Sequence, residues 1–168
     1  MHAEELVLSC FKKSLSQGKH GEKAVTDLFD KAGLKHWPNE ENLIEWDVAV
    51  DVGKTVKFEC KYDRMASKTG NLAIEHWNSK KDKASGITAT EADVWAVILD
   101  PDAQVYATSV ETLRRYCKEN TPHKSVHGGD NNSFMWLYKT DQILEEIFTP
   151  LSEVSPEKLA EVISMTLT

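Results

Sequence analysis

Residues 44–52 and 55–62 alternate apolar and charged side chains on either side of Gly53-Lys54, which reads as two β-strands joined by a tight turn. The apolar positions are Trp46, Val48, Val50 and Val52, then Val56, Phe58, Cys60 and Tyr62, and all of them are even-numbered. Successive strand residues face opposite ways, so burying both apolar sets on one side sends every odd position to the other. Directly opposed residues must then share parity. A two-residue loop would pair 52 with 55 and separate Asp47 from Glu59. A three-residue loop over 52–54, with positive φ at Gly53 or its neighbour, pairs 51 with 55 and sets Asp47 opposite Glu59. A bulge would achieve the same. The core pattern therefore predicts that Asp47, Glu59 and Lys61 converge on one polar face.

Two adjacent carboxylates repel, and they persist at low cost only with a cation between them, either a lysine or a divalent metal. Spacing alone leaves a cross-strand ladder of ion pairs as an alternative. Asp51 shares the predicted face but stands nearer the turn, so Asp47 is the better-placed first acid.

The rest of the chain predicts a mixed α/β domain. Helical spacing covers 4–17 and, after Gly18, 22–32, with Gly33 as the stop. A third strand is expected at 71–77, a weak helix at 87–92, and a strand buried on both faces at 94–100. A strand at 105–107, a helix at 110–120 and a strand at 134–138 follow. Residues 123–133 read as a polar loop. Ser155-Pro156-Glu157 begins a last helix, with Ser155 as its cap. At 168 residues the chain is expected to be one domain, 1–168, with a core of about 18–100 and a C-terminal elaboration of about 101–168.

No apolar run approaches the roughly 20 residues of a membrane span. The start of the chain has acids where a signal peptide needs basic residues. Cys10, Cys60 and Cys117 are odd in number and widely spaced, without a Cys-x-x-Cys pair, so a cytoplasmic protein with reduced thiols is expected. The net charge of −7 disfavours wholesale coating of nucleic acid. From Lys54 to Lys83, however, eight basic residues stand against four acids, a local +4 that leaves −11 for the remainder. Such a stretch can hold a polyanion locally or simply be solvated.

Asp47 followed by Glu59-Cys60-Lys61 on the next strand resembles the PD-(D/E)XK nuclease superfamily, particularly its phage-encoded, homing and resolvase-like endonucleases. Glu22, on a preceding helix, matches an acid of the resolvase-like branch. Gly70-Asn71-Leu72-x-Ile74-Glu75 and Ser85-Gly86-Ile87-x-x-Thr90-x-Ala92-Asp93 resemble phage-encoded members. The likeness spans about half the chain, and Trp46 stands where the motif has proline.

The resemblance implies a restriction-endonuclease-like αβββαβ core, with a central mixed sheet flanked by helices and extra C-terminal strands and helices. It also implies Mg²⁺-dependent hydrolysis of DNA, with Mn²⁺ able to substitute. Asp47, Glu59 and the Cys60 carbonyl would hold the metal, and Lys61 and Glu22 would complete the catalytic group. Arg64, Lys68, Lys80, Lys81, Lys83 and Ser85 are the candidate DNA contacts. Site-directed cutting of duplex DNA, of the homing or restriction type, is the leading expectation, and a structure-selective Holliday-junction resolvase is its rival. Either implies a homodimer or higher homo-oligomer, located in the host cytoplasm if phage-encoded. A non-catalytic nucleic-acid-binding module on the same fold is the alternative of a different class. A small-molecule α/β enzyme has no glycine-rich phosphate loop or nucleophile motif behind it.

Overall fold

The run Val94–Leu99 is buried at every position, so it needs cover on both faces and a hydrogen-bonded strand on each side. The computed structural model, which describes residues 3–40, 45–128 and 132–168, supplies both. In chain order the elements are α1 (Ala3–Lys31), β1 (His36–Pro38), β2 (Val48–Asp51), β3 (Thr55–Asp63), α2 (Ala66–Thr69), β4 (Asn71–Asn78), β5 (Lys83–Ala84) and β6 (Val94–Leu99). There follow β7 (Gln104–Ser109), α3 (Val110–Glu119), β8 (Lys124–Gly128), β9 (Ser133–Lys139), α4 (Thr140–Ile147), β10 (Thr149–Pro150) and α5 (Leu159–Thr166). Short 3₁₀ turns sit at Gly86–Thr88, Leu151–Glu153 and Pro156–Lys158.

The central sheet runs β1-β2-β3-β6-β7-β10 and is mixed, with β3 and β6 parallel and the other pairs antiparallel. Helices flank it. Val25 and Phe29 of α1 and Leu159 and Ile163 of α5 pack on the even-numbered side of β2 and β3, against Val48, Val50, Val56, Phe58 and Cys60. On the opposite side Trp95, Val97 and Leu99 pack against Leu72 and Ile74 of β4, Leu113 of α3 and Ile143 of α4.

Several elements differ from the sequence expectation. The two expected N-terminal helices are one, α1, which runs through Gly18 and Gly21. Gly21 has a packing reason: an added Cβ would stand 3.4 Å from the Tyr62 Cβ, so the glycine lets the helix lie close on β3. Nothing in the structure explains Gly18. The helix does stop at Gly33, at φ 66°. The strand expected over 44–52 is only Val48–Asp51, and Ile44 lies outside the described residues. Trp46 packs against the second cluster rather than with its even-numbered neighbours.

The third strand forms where expected but joins a second sheet, β5-β4-β9-β8, in which β4 pairs with β9 instead of with β3. Part of the expected loop at 123–133 is β8, held on β9, while residues 129–131 lie outside the described residues. The weak helix at 87–92 is only the 3₁₀ turn Gly86–Thr88. The sequence reading had missed β1, α4 and β10. Ser155 precedes the last helical segment, but its side chain makes no capping bond.

The 3₁₀ turn is clamped to β4. The Ser85 amide (3.3 Å) and the Thr88 hydroxyl (2.5 Å) both donate to the His76 carbonyl. Gly86, at φ 51°, lies so close to the Glu75 backbone that an added Cβ would overlap the Glu75 carbonyl oxygen and sit 2.7 Å from its carbon. Gly53, at φ 90°, has nothing within 4 Å of such a Cβ. Gly53→Ala is therefore expected to cost only the left-handed penalty of about 1–2 kcal/mol. Gly86→Ala is expected to cost more, because backbone overlap adds to the same strain. Urea denaturation midpoints of the two variants check the order.

Candidate active site

The hairpin register pairs Val48 with Phe58, Val50 with Val56 and Asp51 with Thr55, across a three-residue loop with Gly53 in the left-handed region. This is the even register that the apolar pattern predicts. Extended by one residue, it brings Asp47 to Glu59. The Asp47 amide still donates to the Phe58 carbonyl at 2.8 Å, while Asn39 fixes the backbone here: its amide donates to the Asp47 carbonyl and its side-chain Nδ2 to the Trp46 carbonyl, both at 2.9 Å. Asp51 is occupied in the turn, where its Oδ1 accepts from the Gly53 amide at 2.9 Å.

Beyond Val48 the ladder has no further backbone partner from β2, and a side chain takes over. Asp47 Oδ2 accepts from the Cys60 amide at 2.7 Å. Odd-numbered residues of β3 bond toward β6, as the Lys57 and Asp63 carbonyls do. Even-numbered ones face the β2 edge. The Cys60 carbonyl thus lies on the edge where β2 has ended, beside the Asp47 carboxylate.

Glu59 is buried, 8 % exposed. Its Oε1 pairs with Lys61 Nζ at 2.5 Å, and the Thr90 hydroxyl lies 3.3 Å from its Oε2 and 3.1 Å from the Glu45 carbonyl. Lys61 Nζ also stands 5.5 Å from the centre of the Trp95 ring, and Trp95 pairs with Glu59 across the β3–β6 ladder. The Lys61 side chain remains 38 % exposed, so the amine reaches solvent from a buried acid partner. Arg114 of α3 holds the loop carrying Thr90, donating to the carbonyls of Ile87 (2.9 Å) and Thr90 (2.7 Å). Asp93 pins the start of the parallel pairing, its Oδ2 accepting from the Lys57 amide at 2.8 Å.

The close approach of α1 at Gly21 carries Glu22 into the same electrostatic field. Burial raises the Glu22 carboxyl above its ordinary value, Lys19 opposes the shift, and Glu59 adds to it. Burial also raises Asp47, to about 7; Glu59 and Glu22 push the same way, against the Cys60 hydrogen bond and Lys61. For Lys61 burial works downward, but its pairing with Glu59 and the charges of Asp47 and Glu75 outweigh it and hold the ammonium raised. Three acids thus crowd around one lysine.

The donors available to a metal here are hard oxygens: two carboxylates and one edge carbonyl. Among the described residues no three His, Cys, Asp or Glu side chains are grouped to hold a metal by themselves. That leaves a set suited to an ion that keeps several waters, as Mg²⁺ does, and unlike a closed zinc site.

Of the basic candidates, Arg64 is exposed beside Lys61 and lines the same cavity, and Lys68 is exposed on α2. Lys80 and Lys81 are exposed in the turn after β4, and Lys83 in β5, past the end of the strand that borders the site. Ser85 does not offer the open hydroxyl that a phosphate contact requires: its Oγ is enclosed and unpartnered. Sequence reasoning missed the roles of Thr90, Trp95, Arg114 and Asn39. Only Thr90 left a trace, as part of the Ser85-to-Asp93 pattern. Among the described residues no helix is long and apolar enough to cross a membrane.

No protein-family model and no curated protein matches the chain. Among solved structures, a bacterial homing endonuclease is similar at a TM-score of 0.46 and 18% identity, over 60% of this chain and 67% of that one. A likeness of that size leaves the site to be argued from its own geometry.

The Asp47 carboxyl rises from 3.8 to about 7 on folding, so over that pH window the folded chain holds a proton that the unfolded chain has lost. Its contribution to stability must therefore fall as pH rises through the window. Thermal melts in EDTA across this range are expected to show Asp47→Asn gaining stability relative to wild type as pH rises. Parallel melting curves for the two proteins would contradict the assignment.

Proposed function

We propose that the chain is a metal-dependent DNA endonuclease that hydrolyses phosphodiester bonds, cutting duplex DNA at directed sites. The observation that carries this reading is the convergence of Asp47, Glu59, the Cys60 edge carbonyl and Lys61 where β2 ends. A cross-strand ion-pair ladder would be solvent-exposed and charge-balanced. Here the acids are sequestered and in excess, which binding of DNA alone does not require.

Asp47, Glu59 and the Cys60 carbonyl would hold Mg²⁺, with Mn²⁺ as a substitute. When bound, that ion supplies Lewis-acid charge to the scissile phosphate and its attacking water. The excess of acids gives the chain a physical reason to take up a cation. Lys61, held protonated by Glu59, serves as a fixed positive charge: it orients the water and stabilises the charge that develops on the phosphate oxygens. A lysine so paired is a poor general base. Thr90 and Trp95 hold Glu59 and Lys61 in position, and Glu22 fixes water from the helix side. Water oxygen bonds to phosphorus as the ester P–O bond breaks, leaving a phosphomonoester and a free hydroxyl. Arg64 and Lys68 beside the site, with Lys80, Lys81 and Lys83 farther along, would contact phosphates. Cutting both strands requires a second copy of the site, and thus a homodimer or higher homo-oligomer.

Supercoiled plasmid, mixed genomic DNA and a four-way junction are incubated with Mg²⁺ or with EDTA. Wild type is expected to cut only with the metal, and Lys61→Ala is expected to lower the rate by about a hundredfold or more. Circular dichroism establishes that the variant is folded, since it leaves Glu59 buried without its cation. Preference for the junction would redirect the reading to a resolvase. A folded wild type that binds these DNAs and cuts none with Mg²⁺ or Mn²⁺ would overturn it.

A further inference from the structure

Next to Lys61 a cavity of about 450 Å³ opens between the two sheets, within the roughly 300–1,000 Å³ typical of small-molecule sites. One wall is the odd-numbered face of the second sheet, where Ala73 pairs with Leu137 and Glu75 with Met135. The facing wall is Trp95 and Lys61 of the central sheet. Arg64 stands at its margin; among the described residues it has no carboxylate within ion-pairing distance.

Two polar atoms on this lining lack partners. The Trp95 indole N–H is buried, in a side chain 1 % exposed, and donates to nothing. Asn71 Oδ1 is also buried and accepts nothing, while the Asn71 Nδ2 is committed to the Thr69 carbonyl at 3.1 Å, which fixes the amide's orientation. Buried donors and acceptors are rarely left unpaired, because each retains its full desolvation penalty. A ligand that fits must bring an acceptor and a donor on a flat apolar body, with negative charge carried toward Lys61 and Arg64. A nucleobase on its sugar phosphate has that chemistry.

We propose that this cavity receives a nucleobase of the DNA, taken out of its stack, from the strand whose phosphate lies at Lys61. The proposal rests on the nuclease reading above and extends it. The base would lie against the Trp95 side and the Met135 and Leu137 side chains, its edge meeting the indole N–H and Asn71. Insertion would fix the backbone relative to Lys61. Unstacking is least costly for unpaired or mismatched bases, so the cavity also gives the enzyme a means of choosing where it cuts.

The test reads the Trp95 atom itself. The chain has five tryptophans, and comparison with Trp95→Phe assigns the Trp95 indole N–H signal in a ¹⁵N-labelled protein. With EDTA present, the four deoxynucleoside monophosphates, a short single strand and the matching duplex are titrated in turn. The expected result is a saturable shift of the Trp95 signal with at least one of them. Ala73→Leu, which fills the cavity, should abolish it, and Asn71→Leu, which removes the acceptor, should weaken it.

A shift with the duplex identifies a base extruded from paired DNA, and a shift with the single strand alone identifies an unpaired one. A Trp95 signal unmoved by every probe, or a shift unchanged in folded Ala73→Leu, overturns the proposal. Plasmid cleavage with Mg²⁺ by the same wild-type preparation separates the two readings. Cutting with an unmoved signal sinks the cavity alone, whereas a moved signal without cutting sinks the nuclease reading and leaves nucleobase binding standing.

Discussion

One hydrogen bond organises this site: the Asp47 carboxylate accepting from the Cys60 amide at 2.7 Å. Where β2 stops, β3 would otherwise present an unpaired N–H to a partly buried edge, a costly state. Asp47 fills that place with a side-chain oxygen. In doing so it fixes its carboxylate beside the Cys60 carbonyl and in the field of Glu59. The end of one short strand thereby becomes a cluster of oxygens, and its position follows from hairpin register.

Such a cluster is unstable by itself, and the surrounding layers can be understood as its support. Glu59 has Lys61 on one oxygen and Thr90 near the other, Thr90 depends on the Arg114 clamp, and the adjoining 3₁₀ turn is anchored on β4 through Gly86 and Thr88. α3, β4 and the segment after β5 therefore converge on one carboxylate. On the other face Gly21 allows α1 to approach closely enough for Glu22 to raise the proton affinity of Asp47. The acids are crowded by rigid packing, so a cation entering among them would meet a preorganised site.

The hairpin was legible because its parity argument is local: even positions bury, odd positions converge, and the loop length follows. β6 was legible for the same reason, as an apolar run that needs two covered faces. The second sheet was not. β4 pairs with β9 across a long intervening stretch, and alternation in either strand is equally compatible with joining the central sheet. Gly18 and Gly21 misled in the opposite direction. Glycine is a poor helix former by propensity, but tertiary contact at Gly21 outweighs that cost. Arg114 and Trp95 left no signal because their roles are defined by what they touch: two carbonyls for the one, a lysine and a cavity for the other. Ser85 resembled a surface hydroxyl only because its enclosure comes from distant residues.

Placement also answers how a chain of net −7 could hold a polyanion. Charge at a distance contributes little, since screening in physiological salt acts over about 8 Å. What matters is where the local +4 lies. Lys68 precedes β4, Lys80 and Lys81 follow it, and Lys83 sits on the neighbouring strand; all are exposed and none has an ion-pair partner among the described residues. These cations bracket the strand whose odd-numbered side chains wall the cavity beside Lys61. On the proposed reading, a phosphate backbone drawn along that strand is led past the one amine held beside the acid cluster, while the acidic remainder of the chain disfavours binding in any other orientation.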